Sequence, residues 1–150
     1  MRTIIQRVSQ ASVTIDKNVK SSINKGLLVL LGIEENDNSK DIEWLVKKII
    51  QLRIFSDADE KMNLSVQDID GDILVISQFT LFASTKKGNR PSFIQAAKPN
   101  IAIPLYEQFL SNLKNAFGKE IHNGEFGADM KVALINDGPV TIIIDSKNPE

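Results

Sequence analysis

The sequence predicts a single α+β domain: a layered, sheet-rich (β-β-α) fold with mostly antiparallel strands and two main helices. Three observations predict it. Two segments repeat apolar residues at helical spacing. Six or seven shorter segments read as strands, and these follow one another mostly in hairpin order. No repeat and no Pro/Gly/Ser-rich linker divides the 150 residues, so one domain is expected over 1–150.

The first third reads as strands. Thr3 to Val8 and Ser12 to Ile15 alternate or run apolar, and Asp16-Lys17-Asn18 suits a turn. Val19 to Ile23 follows, then a second turn at Asn24-Lys25-Gly26. Leu27 to Ile33 is continuously apolar, which predicts a central strand buried on both faces. Ser39 is the expected cap of the first helix, with Asp41 and Glu43 suiting its opening turn. Ile42, Leu45, Val46, Ile49 and Ile50 give that helix one apolar face. The second helix is expected to open near Pro104, since proline suits a first helical position. Tyr106, Phe109, Leu110, Leu113 and Phe117 form its stripe, and Gly118 ends it. Asp72 to Phe82 is a further strand. Met130 to Ile135 and Val140 to Ile144 are two more, joined by a tight Asn136-Asp137-Gly138-Pro139 turn.

Composition excludes several chemistries. Cysteine is absent, which removes disulfides, thiolate metal sites and a cysteine nucleophile, and fits a reducing cytoplasm. Neither a signal peptide nor a membrane span is expected, because the longest apolar run, Leu27 to Leu31, is far too short. The net charge of −1 lacks the basic excess usual in nucleic-acid-binding domains. Positive charge is instead concentrated locally. Lys86, Lys87, Arg90 and Lys98 occur with no acidic residue between the first and the last, as a phosphate-facing patch or as a solvated loop.

The common catalytic arrangements are missing. The one histidine, His122, lies in a polar, glycine-containing stretch, and nothing in the spacing delivers it to a serine. Asp57-Ala58-Asp59-Glu60 starts like a calcium loop, but Met62 stands where that loop needs glycine. No phosphate-binding or dinucleotide glycine loop is present. Two segments remain. Ser77-Gln78-Phe79-Thr80-Leu81 sets two hydroxyls, an amide and an aromatic ring at the end of an apolar strand, as a strand exit or a pocket wall. Asn136-Asp137-Gly138-Pro139-Val140-Thr141 reads either as a hairpin turn or as a rigid main-chain element fixed by proline.

Together with Gln6-Arg7-Val8, Lys61-Met62-Asn63-Leu64-Ser65, Gly88-Asn89-Arg90-Pro91-Ser92-Phe93, Leu105-Tyr106-Glu107-Gln108-Phe109 and Gly127-Ala128-Asp129-Met130, these segments resemble the D-aminoacyl-tRNA deacylase family along essentially the whole chain. The resemblance implies a cytoplasmic homodimer that hydrolyses the ester of D-aminoacyl-tRNA, and of glycyl-tRNA, without metal or organic cofactor. It implies that Ser77, Gln78, Phe79 and Thr80 hold the terminal adenosine and the reacting carbonyl. Gly138-Pro139 would be a Gly-cis-Pro element that enters the partner's site and reads chirality. Arg7 would steady that element, and Ala102 and Met130 would line the pocket. One departure is visible: the family commonly has glycine before the Lys-Met-Asn segment, where Glu60 stands here.

The resemblance implies a substrate-assisted route, and the residue inventory is compatible with it. Thr80 has no evident base and would be a weak nucleophile. Backbone N–H groups near Phe79 and Thr80 would stabilise the oxyanion, and the 2′-hydroxyl of the terminal adenosine would help the water. An L-side chain would strike Gly138-Pro139, whereas a D-side chain or glycine would not. Lys86, Lys87, Arg90 and Lys98 are the expected tRNA phosphate contacts. Two other readings stay open: a non-catalytic tRNA-end binding module, and a hydrolase of another ester or amide using Thr80 or Ser77 with His122.

Overall fold

Fourteen residues of alternating apolar character make β1 (Arg2–Ile15), the strand around which the sheet is organised. The structure, a computed structural model, describes residues 1–149. On one side of β1 lie β3 (Gly26–Gly32), paired along Arg2–Val8, and β2 (Asn18–Ile23), paired along Ala11–Ile15; on the other lies β8 (Lys131–Asp145). All three pairings are antiparallel. The two strands expected at Thr3–Val8 and Ser12–Ile15 are thus one, because the polar Ser9-Gln10 step keeps its extended backbone and the pairing to β8 continues across it.

Beyond β3 the order is not that of hairpins. The chain crosses through α1 (Ser39–Gln51) and the small β4 (Phe55–Ser56) and β5 (Met62–Leu64) pair to β6 (Asp72–Ser77), which runs parallel to β3. It then crosses through α2 (Pro99–Phe117) to β7 (His122–Asn123), parallel to β6. Each crossover helix covers the sheet, as parallel pairing requires. The result is α+β with two helices, but the sheet is mixed and curls into a nearly closed barrel.

The apolar run of β3 is explained by its central place between β1 and β6. Leu27, Val29 and Leu31 join Ile42, Leu45, Ile49, Phe109 and Leu113 in the core under the helices. Leu28 faces the other way, into a second core with Val8, Val13, Leu74 and Ile76.

Both helix starts differ from expectation. Asn38, not Ser39, caps α1: its side chain accepts from the Lys40 amide at 3.0 Å, and Asp41 accepts from the Asn38 amide at 2.9 Å. The second helix begins at Pro99, and Pro104 lies inside it. The amides of Ile101 and Ala102 both bond back to the Lys98 carbonyl, at 2.9 Å each, and buried Ala102 anchors this extra turn. Pro104 is tolerated on the exposed face. Gly118 ends the helix in the left-handed conformation, φ 74°.

Asp57 organises the acidic turn between β4 and β5, accepting from the amides of Asp59 (2.9 Å) and Lys61 (3.0 Å). Its carboxyl is held below the ordinary value, first by the Lys61 amide. Glu60, where glycine is expected, takes φ 61°, a conformation that costs an L-residue about 1–2 kcal/mol.

Candidate functional site

The strand expected over Asp72–Phe82 ends at Ser77. Ser77 pairs with Leu31, and the Gln78 amide still donates to the Leu31 carbonyl at 2.7 Å. From there Phe79–Phe82 coil into one 3₁₀ turn, closed by the Leu81 amide on Gln78 O (3.2 Å) and the Ala83 amide on Thr80 O (3.0 Å). Strand pairing stops because β3 itself ends at Gly32, which leaves the next amides without a neighbour. Gly32 also makes room for the turn. A Cβ there would lie 3.0 Å from Leu81 Cβ and 3.1 Å from Gln78 O.

The amides of Phe79 and Thr80 head this turn, and among the described residues neither has a hydrogen-bond acceptor. They are the orphan donors that every helical start leaves over. The Gln78 side-chain amide donates to Thr80 Oγ1, which leaves the threonine proton free to donate elsewhere. Arg2 braces the back of the turn. Its Nη1 donates to Leu81 O at 2.8 Å, its Nε and Nη2 bond Asp145 at 3.1 and 2.9 Å, and its guanidinium lies 4.7 Å from the Phe82 ring centre.

The turn forms one wall of a cleft of about 250 Å³. Ser77, Gln78 and Phe79 line that wall; Phe126, Asp129 and Met130 line the opposite one. Gly124 seats Met130, since a Cβ on Gly124 would collide with the Met130 sulfur. Beneath Phe126, at 5.8 Å between ring centres, Tyr106 donates its hydroxyl to Val75 O (3.3 Å), and burial pushes that phenol above its ordinary range. Thr80 joins this group through Gln78. Ala102 does not line the cleft: it is 3% exposed in the core under the helices. Phe126 was not singled out from the sequence. Its signal was the aromatic residue just before Gly127-Ala128-Asp129-Met130.

Gly138-Pro139 stands elsewhere. The two segments expected to form a hairpin do not pair with each other; both pair with β1, as one strand β8. Gln6 faces Thr141 and Val8 faces Asn136, so Asp137 to Val140 bulge out opposite Arg7 alone. The Gly138-Pro139 peptide bond is cis, and Gly138 takes φ 135°. Asn136 Oδ1 accepts from the Val140 amide at 2.8 Å. Arg7, only 12% exposed, donates to Asp137 O (2.8 Å) and Ile54 O (2.6 Å) and lies 3.7 Å from the Asp137 carboxylate. A Cβ on Gly138 would sit 2.8 Å from Arg7 Nη2 and from Val140 Cγ2. Arg7 pairs with Leu27, at the opposite end of β3 from Leu31, where the turn begins. Four residues of strand span about 13 Å, and none of Asp137 to Val140 lines this chain's cleft.

The basic residues divide. Ser84 and Ser92 bond each other in both directions (2.8 and 2.9 Å) and close a loop that carries exposed Lys86, Lys87 and Arg90 around a depression of about 500 Å³. Lys98 stands apart, at the start of α2. His122 pairs with Leu74 in β7 and is not part of the cleft; no hydrogen bond joins it to Ser77 or Thr80 among the described residues. No group of three His, Asp or Glu side chains there is placed to hold a metal ion. Among the described residues no helix is long and apolar enough to cross a membrane.

A family model described as D-Tyr-tRNA(Tyr) deacylase matches residues 4–145. The chain belongs to that family. It is 67% identical to a D-aminoacyl-tRNA deacylase of Flavobacterium psychrophilum and 66% identical to one of Bacteroides fragilis, each over 150 residues and the full length of both chains. Among solved structures it is similar to a c-Myc DNA unwinding element binding protein, with 42% identity, a TM-score of 0.92, and 97% and 98% of the two chains covered. Family membership thus rests on nearly the whole chain, including the cleft wall and the Gly138-Pro139 bulge.

Proposed function

We propose that this protein hydrolyses the ester bond of D-aminoacyl-tRNA, and of glycyl-tRNA, releasing free amino acid and tRNA. The observation that carries this reading is the exposed, braced Gly138-Pro139 bulge, which takes no part in the lining of its own chain's cleft. A second copy of the chain supplies the missing half. In a homodimer, Gly138-Pro139 of one subunit enters the other's cleft. Two features support such pairing: β8 is long and paired only to β1, and it exposes Ile135 (52%) and Ile143 (68%).

Chemistry at the cleft is that of water and main chain. Water adds to the ester carbonyl, and the charge developing on its oxygen falls to the free amides of Phe79 and Thr80. Donors of this kind each contribute about 3 kcal/mol to a transition state. The 2′-hydroxyl of the terminal adenosine orients the water, the bond to the 3′-oxygen breaks, and that oxygen takes the proton. Thr80 Oγ1, held by Gln78, donates a hydrogen bond rather than attacking. Phe126 and Met130 give the adenosine an apolar wall. The partner's Gly138-Pro139 excludes an L-side chain by contact, while a D-side chain points to solvent and glycine has none. Lys86, Lys87, Arg90 and Lys98 meet tRNA phosphates, and the reaction takes place in the cytoplasm.

Release of tyrosine from D- and L-tyrosyl-tRNA tests the reading. Rapid turnover of the D-ester with negligible turnover of the L-ester is expected; equal rates would refute it. The similarity to a protein named for DNA binding favours one second reading, a module that holds a nucleic-acid end without cutting. Binding of D-tyrosyl-tRNA with no release of tyrosine would establish that reading instead.

A further inference from the structure

Among the described residues, Phe79 is the one large apolar side chain of the cleft that is mostly exposed to solvent. It is 56% exposed, although it belongs to the wall that begins at Ser77. Its ring meets Phe93 edge-to-face, 5.0 Å between centres at 71°. Phe93 lies just past the Ser84–Ser92 closure, so one aromatic pair ties the cleft wall to the base of the basic loop. Ile94 beside it is 90% exposed. From Ile73 to Tyr106 the chain contains no aspartate or glutamate, in a protein with 19 acidic residues and a net charge of −1. Lys86, Lys87, Arg90 and Lys98 all fall in that stretch. An apolar step next to uncompensated positive charge, continuous with a nucleotide-sized cleft, matches the chemistry of an unpaired RNA strand: a stackable base joined to a phosphate.

Resting on the reading above, we propose that the Phe79–Phe93 pair is a stacking step for the base immediately 5′ to the terminal adenosine. The adenosine occupies the cleft between Phe79 and Met130. The next base lies on the exposed face of Phe79, which Phe93 holds upright, and the following phosphates run toward Lys86, Lys87 and Arg90. The enzyme thereby distinguishes a full tRNA end from a lone aminoacyl-adenosine, without reading sequence, because any base offers a stacking face.

The test compares two substrates, D-tyrosyl-tRNA and D-tyrosyl-adenosine, with wild-type protein and with Phe93→Leu. Phe93→Leu removes the ring that holds Phe79 and leaves the turn's amides in place. A rise in KM on the order of tenfold is expected for the tRNA, with kcat unchanged and both constants unchanged for the adenosine ester. Phe79→Leu should raise KM for the tRNA by at least as much. Equal effects on the two substrates, or no effect on either, would overturn the proposal. So would a loss of self-association in Phe93→Leu, measured by sedimentation, because the step would then be a subunit contact. Failure of wild-type protein to cut either ester would instead refute the deacylase reading itself.

Discussion

Two interruptions of strands carry the account, and they are built differently. At Ser77 a strand ends where its neighbour ends, and the liberated amides stand at the head of a turn that forms one wall of the cleft. At Asp137 a strand does not end; it steps out of register for four residues, resumes, and leaves a convex ridge. The first is held at its edges by main-chain bonds and by Arg2 on Leu81 O. The second is held from beneath by side chains, Arg7 and Asn136. A concave donor surface suits charge stabilisation, and a braced ridge suits exclusion. On the proposed reading, a complete site needs both.

Removing a main-chain donor should have the largest effect. Phe79→Pro deletes one of the two free amides, and Gln78 before it (φ −143°, ψ 78°) lies outside the helical region that a following proline disfavours. A fall in kcat of about 10²–10³-fold on D-tyrosyl-adenosine is expected. Phe79→Leu, which keeps the amide, should hold kcat on that substrate near wild type. Equal losses in the two variants would show that the ring, not the amide, matters there.

On the convex side, Gly138→Ala adds a methyl against Arg7 and Val140 at a φ unfavourable to L-residues. D-ester turnover should drop on the order of tenfold through displacement of the ridge, a cost of about 1.4 kcal/mol. Loosening the brace is expected to act differently. Arg7→Met removes two charge-assisted hydrogen bonds, so hydrolysis of L-tyrosyl-tRNA should rise from its wild-type floor and stability should fall by about 1–3 kcal/mol in urea unfolding. Unchanged chiral selectivity in Arg7→Met would mean that the ridge needs no support.

Smaller effects lie outside both regions. Burial pushes the Asp41 carboxyl up, but bonds from Lys147, Ser146 and Asn38 outweigh it and hold it below its ordinary value of 3.8. A carboxyl with a depressed folded value contributes stability that is complete above its unfolded value and lost as pH falls through the folded one. Melting temperature should therefore fall below about pH 4 in the wild type, and less steeply in Asp41→Asn. Glu60→Gly should relieve the left-handed turn and raise stability by about 0.5–1 kcal/mol, with no change in turnover.

Both regions were located by residue type and misjudged in backbone. Ser77 to Thr80 stood out because polar groups close an apolar run, yet Leu81 and Phe82 extend the apolar pattern and disguise the 3₁₀ turn as strand. Asn136 to Pro139 has turn chemistry, which is local, whereas the choice between a hairpin and a bulge depends on β1, some 130 positions away in sequence. The helix faces were legible because periodicity records burial directly. Their starts were not, since Asn38 and Ser39 are both good caps and Pro104 is a plausible first residue until buried Ala102 is placed. The parallel pairing of β6 to β3 left no mark, because a strand buried on both faces reads alike in either direction. Phe126 became visible only as the wall opposite Ser77.

Subunit mixing tests most directly whether one copy's ridge completes the other's cleft. Phe79→Pro and Gly138→Ala proteins are each assayed alone on D-tyrosyl-tRNA, then unfolded together, refolded and assayed again. If the ridge acts across the dimer, mixed pairs contain one site with both parts intact, and activity should recover to about a quarter of wild type after random assortment. If activity stays at the average of the two separate variants, the ridge serves its own chain or none, and the account is wrong.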